Sequence, residues 1–151
     1  MPIITIYADG SCLENPGPGG YAAILFMDKD GVRFTKKVYG NHPEQTTNNR
    51  MELTAILAGL EKVKRPSEHS LRIFSDSKWA LNAVNGAWKI KKNLDLVNEA
   101  RRMVSEFINV EYFWVKGHNK DKYNEECDKL ALSSALVKEG FFKVETFKEN
   151  I

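Results

Sequence analysis

The chain has 151 residues, of which 42% are hydrophobic and 28% charged, and a formal net charge of +2, the composition of one ordinary globular domain with a real core and only a weak general pull toward nucleic acid. Its two cysteines, Cys12 and Cys127, lie far apart and form no CxxC pair, which argues against a zinc site or disulfide framework and fits a reducing, cytoplasmic setting. No stretch approaches the ~20 apolar residues of a membrane span, and the opening MPIITIYADG has no signal-peptide layout, so no membrane partner is expected.

Residues 3–8 read as a strand that halts at Asp9-Gly10-Ser11, passes Asn15-Pro16-Gly17 and Gly19-Gly20, and resumes over 21–27. Taken alone, Asp9-Gly10 is a hairpin-turn signal; the second run is nearly all apolar and so expected to be central. Asp28-Lys29-Asp30-Gly31 predicts a tight turn into a third strand over 32–39. From 48 to 63 the period changes, with Leu53, Ile56, Leu57 and Leu60 on one helical face, and the helix stops before Pro66. A short strand over 71–75 precedes a helix over 77–84 that Asn85-Gly86 ends. A helix over 94–108, a strand over 110–115 and a helix over 124–138 follow. The order βββαβααβα predicts a single α/β domain over 1–151, with a mixed five-stranded sheet whose first three strands are antiparallel and whose faces carry helices. The tail 140–151 is too apolar at Phe141, Phe142, Val144 and Phe147 to hang free, and is expected to pack on the domain.

Four acids stand out, each with an ordinary alternative. Glu52 lies three residues after Asn49, the spacing of a capping box. Asp76 follows a strand and precedes a helix, where an N-cap aspartate belongs. Asp128 shares a helical stripe with Ala131, Leu132 and Ala135, so it points to the packed side, with Lys122 and Lys129 as possible ion-pair partners. Together they read differently. If the first and fourth strands are parallel neighbours, Asp9 and Asp76 end side by side, and Glu52 and Asp128 come within reach from the covering helices. Clustered carboxylates need cations. Hard oxygen donors at an open site suit Mg²⁺ or Mn²⁺, and two such ions about 4 Å apart suit in-line phosphodiester cleavage.

The blocks YADGSCLENPGPGGYAAIL, TTNNRMEL, FSDSKWAL, NLDLV and VKGHNKDKYNEECDKLA make the chain resemble type 1 ribonuclease H through nearly its whole length. The resemblance implies a ribonuclease H-like fold and an endonuclease that cuts the RNA strand of RNA–DNA hybrids with two Mg²⁺ ions, leaving 5′-phosphate and 3′-hydroxyl ends. It puts Asp9, Glu52, Asp76 and Asp128 on the metal-binding carboxylates, and His118 on a loop histidine that moves protons or releases product. Glu125 matches a glutamate close to the metals. Cys12, Asn15, Asn48 and Asn49 match positions touching the hybrid's minor groove, where the 2′-OH distinguishes RNA from DNA, and Gly10 is a further candidate site residue. Thr47 and Asn93 match residues that hold a DNA phosphate.

The sequence also departs from the best-known bacterial form of that family. Only GAWKIKKN separates residue 85 from 94, too short for the basic helical insertion of that form. Trp88, Lys89, Lys91 and Lys92 are expected to do a reduced version of its work, since lysines near phosphates raise affinity regardless of sequence. Lys78 stands where many relatives have glutamine. Rival readings are an inactive hybrid-binding module, a nuclease domain derived from a reverse transcriptase, and a phosphatase-type enzyme, which the lack of an Asp-x-Asp arrangement at Asp9 disfavours. The opening at Met1 with no linker favours a free-standing protein over an excised domain, and a monomer without an obligatory protein partner is expected.

Overall fold

Alternation along the first strand decides which face of the sheet each side chain serves. In the computed structural model, which describes residues 2–116 and 121–151, β1 spans Ile3–Cys12. Ile4, Ile6 and Ala8 enter one core, and Tyr7 packs against the other. The adjoining strand β2 (Gly17–Lys29) divides likewise, Ala23 and Leu25 to the first core, Ala22 and Ile24 to the second. That double burial explains its near-continuous apolar sequence.

β3 (Val32–Thr46) completes the antiparallel meander. It is reached through a two-residue loop, Asp30-Gly31, closed by the pair Lys29↔Val32, and both loop residues have positive φ, 53° and 77°. Asp-Gly suits that geometry because glycine enters the left-handed region without steric cost. β4 (Ser70–Ser75) lies parallel to β1, and β5 (Asn109–Trp114) parallel to β4. The sheet has six strands rather than the expected five, in the order β5-β4-β1-β2-β3-β6. The additional strand β6 (Phe142–Asn150) is the tail, paired antiparallel with β3 from Val32↔Asn150 to Gly40↔Phe142.

α1 (Asn48–Leu60) supplies Leu53, Ile56, Leu57 and Leu60 to the larger core, and α2 (Lys78–Val84) and α3 (Leu94–Val104) fill the same side. α4 (Lys122–Ala135) covers the opposite face through Cys127 and Ala131. The mixed sheet with helices on both faces is as expected from the sequence. α3 ends earlier than expected, because Glu106 and Phe107 tighten to i−3 hydrogen bonds and the Ile108 N–H already joins the sheet at the His69 carbonyl, 3.0 Å away. α4 also stops short: the Asn41 side chain takes the carbonyls of Val137 and Glu139 at 2.9 and 2.8 Å. Among the described residues, no helix is long and apolar enough to cross a membrane.

Candidate active site

Strand pairing brings the first two acids together. The parallel register of β1 and β4 runs to Ala8↔Ser75, so Asp9 follows within β1 and Asp76 is the first residue past β4. Asp9 is not in a turn: β1 continues past it, with Asp9↔Ala22, Gly10↔Tyr21, Ser11↔Gly20 and Cys12↔Gly19 paired to β2, and the chain reverses over residues 13–16. Its carboxylate therefore stands on rigid sheet rather than on a loop.

Glu52 arrives from α1. Gly10 makes the approach possible, since a Cβ there would lie 2.4 Å from both the Glu52 nitrogen and the Met51 carbonyl carbon. The Gly10 N–H then donates to Glu52 Oε1 and to Asp9 Oδ1, each at 2.9 Å. Ser75 reaches Glu52 Oε2 at 3.5 Å and accepts the Ser77 N–H at 3.0 Å. Neither acid serves as the cap its spacing allowed. Thr47 caps α1 through the Arg50 N–H, and Ser77 caps α2 through the Ala80 N–H. Hydroxyls, not Glu52 or Asp76, therefore stand at both helix starts.

Asp9, Glu52 and Asp76 each offer an oxygen within 4.8 Å of the others. Asp9 and Glu52 are buried and Asp76 half-buried. Burial raises the Asp9 carboxyl far above the usual carboxylate range, and the charges of Glu52, Asp76 and Asp128 push it further. Burial also raises Glu52, with Asp76 adding to it, while bonds from Gly10 and Ser75 pull the other way. Asp128 is half-buried on α4, on the side of Ala131 and Ala135; Leu132, expected on that stripe, points outward. It adds charge beside the cluster of three rather than a fourth member to it. Lys122, a possible partner of Asp128, lies over the Tyr123 ring instead. The three acids form an all-oxygen, mutually repelling donor set. That set fits a hard divalent cation and is poorly satisfied without one.

The flanking surface is polar. Asn15 Oδ1 accepts the Asn48 N–H at 3.1 Å, which joins the reversal after β1 to the start of α1. Cys12 Sγ lies 3.3 Å from the Gly17 carbonyl and 3.4 Å from that of Thr46. Asn48 and Asn49 are exposed, and Thr47, which caps α1, is half-buried. Asn93 sits before α3 with φ 60°, held by Arg50 Nη1 at 3.2 Å, while Arg50 also grips Asp95 through both of its terminal nitrogens at 3.1 and 2.9 Å. No helix forms between α2 and α3. The connection instead lines a cavity of about 300 Å³ with Lys89, Ile90, Lys91, Lys92 and Asn93, opposite Asn49 and Trp79. Trp88 is exposed beside it, its N–H bonded to the Asn82 carbonyl. Glu125 lies half-buried in the first turn of α4, and His118 falls outside the described residues. Sequence reasoning does not single out Ser75, Arg50 or Trp114, all of which engage residues of this region. For Ser75 a signal existed: alternation puts it on the inward face with Leu71 and Ile73, a place where a serine must find a polar partner.

The RNase H family model matches residues 1–136. Among curated proteins, the Ribonuclease H of Campylobacter curvus is 42% identical over 148 residues, covering 89% of this chain and 94% of its own. That of Caldicellulosiruptor saccharolyticus is 40% identical over 156 residues, covering 92% and 99%. Among solved structures, the N-terminal RNase H domain of a Mycobacterium tuberculosis protein, determined as a fusion with maltose binding protein, superposes with a TM-score of 0.72 at 26% identity, covering 88% of this chain and 93% of that one. The chain therefore belongs to the ribonuclease H family, as a ribonuclease of the type 1 form.

Proposed function

We propose that the protein is an endonuclease that hydrolyses the RNA strand of RNA–DNA hybrids with two divalent metal ions, leaving 5′-phosphate and 3′-hydroxyl ends. The observation that carries this reading is the cluster of Asp9 within β1, Asp76 just past the end of β4 and Glu52 on α1, in a chain of this family. With Asp128 beside them, these residues would hold Mg²⁺, or Mn²⁺ in its place. When bound, such ions supply an activated water and stabilise the leaving oxygen.

The protein's own groups do the rest. Gly10 and Ser75 fix the Glu52 carboxylate by hydrogen bonds, so its oxygens are oriented before any ion arrives. Cys12, Asn15, Asn48 and Asn49 offer amides and backbone groups to the minor groove, where a 2′-OH can both donate and accept. Thr47 and Asn93 hold a phosphate of the DNA strand, with Asn93 kept in place by Arg50. Lys89, Lys91 and Lys92 add charge that favours any phosphate backbone. His118 assists proton movement or product release, and Glu125 supports the metal site. No protein partner is needed, and the enzyme acts as a monomer in the cytoplasm.

The test is a substrate panel of end-labelled hybrid, RNA duplex, DNA duplex and single-stranded RNA, with product ends mapped. Cutting confined to RNA within the hybrid, with 3′-hydroxyl termini, is expected. Equal cutting of single-stranded RNA, or none of the hybrid, would sink the assignment.

A further inference from the structure

Trp114 ends β5 with 48% of its surface exposed, yet two parts of its indole are engaged. The ring N–H donates to the backbone carbonyl of Asp76 at 3.0 Å, and the ring face carries the Lys78 ammonium 4.2 Å from its centroid. Lys78 is exposed, opens α2 and lies two residues after Asp76. A cation in a first helical turn opposes the helix dipole, and a lysine ammonium normally moves freely in water at the end of its stem. Here the negative face of the ring holds it beside the acidic cluster, and the same indole is tied to the backbone of one of the cluster's acids.

We propose that Lys78, seated on Trp114, is a phosphate-binding subsite for the nucleic acid at the Asp76 edge of the active site, and that Trp114 is its positioning residue. This rests on the hybrid-nuclease reading. A phosphodiester approaching three clustered acids meets like charge, and a fixed cation at their edge offsets that repulsion where the strand must pass. An ammonium binds phosphate as a point charge without reading the base. Glutamine at this position could offer only a neutral contact, whereas the lysine ammonium brings the charge that a phosphate attracts.

The experiment is binding of a labelled RNA–DNA hybrid in EDTA, across a series of salt concentrations, by the full chain and by Lys78→Gln, Lys78→Arg and Trp114→Leu. Losing one phosphate contact should lower the slope of log affinity against log salt by about 0.9. Lys78→Gln is expected to show that loss, Lys78→Arg to retain the wild-type slope, and Trp114→Leu to lose most of the same increment. An unchanged slope in Lys78→Gln overturns the subsite. A full slope in Trp114→Leu, with loss in Lys78→Gln, overturns the positioning role. If the wild-type chain cleaves hybrid with Mg²⁺ while Lys78→Gln keeps its slope, this inference alone fails; a wild-type chain that neither binds hybrid in EDTA nor cleaves it with Mg²⁺ overturns the nuclease reading with it.

Discussion

Replacing Asp9 by Asn should stabilise the metal-free protein, and by more as pH rises. An acid whose folded-state pKa lies above its unfolded value contributes stability that is complete below the unfolded pKa and is lost as pH rises through the folded one. Asp9 and Glu52 both shift upward, from ordinary values of 3.8 and 4.5, Glu52 to about 7. The wild type without metal therefore loses stability from about pH 4 through neutrality. Asparagine keeps the oxygen that accepts the Gly10 N–H and removes the like charge facing Glu52. One pKa unit corresponds to about 1.36 kcal/mol, so relief of one to two units is worth about 1.5–3 kcal/mol. For a chain of this size each kcal/mol moves Tm by about 2–4 °C, which gives a rise of about 3–10 °C near pH 8 and almost none near pH 4. Thermal melts followed by circular dichroism in EDTA read the difference directly, because other titrating groups are common to both proteins. Adding Mg²⁺ should raise the wild-type Tm and narrow the gap, since an ion that binds only the folded state stabilises it. A variant less stable than wild type near pH 8, or a gap that shrinks as pH rises in EDTA, would refute the reasoning.

Three further outcomes follow from the site. Gly10→Ala puts a methyl against the α1 backbone and should cost about 1–3 kcal/mol by overpacking, read as a lower Tm together with a loss of cleavage. Changing Lys89, Lys91 and Lys92 together to Ala should raise KM and flatten its salt dependence while kcat changes little; an untouched KM would make this connection a mere solvated link. His118→Ala should slow turnover by about 100-fold or less without altering the Mg²⁺ requirement, since proton-transfer help starts near that size and water can replace a loop histidine. A loss as complete as that of an Asp9 variant would assign His118 to the metal site instead.

Some of these features could be read from residues alone and others could not. Asp30-Gly31 was readable as a turn because the turn's chemistry is local: both positions need positive φ, and the dipeptide tolerates it. Asp9-Gly10 carries the same letters and lies within a strand, because its pairing with Ala22 and Tyr21 is set by residues more than ten positions away. The blocks around the four acids point to the family, but spacing could not tell whether Glu52 and Asp76 serve as helix caps. Thr47 and Ser77 decided that, and their hydroxyls are as common in loops as at helix starts. The sixth strand was hidden for a related reason. The tail's apolar residues predicted packing, whereas strand formation depends on the free edge of β3, which no local pattern describes. The contacts of Trp114 with Lys78 and Asp76 join elements some forty residues apart and become visible only in three dimensions.

The most direct test of the metal-dependent nuclease account is cleavage of a labelled RNA–DNA hybrid by wild type and by Asp76→Asn, each titrated with Mg²⁺ from an EDTA-treated start. The wild type should be inactive without the ion and gain activity as it is added, while Asp76→Asn, folded by circular dichroism, should stay inactive throughout. Cleavage by wild type in EDTA, or near-normal cleavage by the variant, would contradict the role given to the carboxylate cluster.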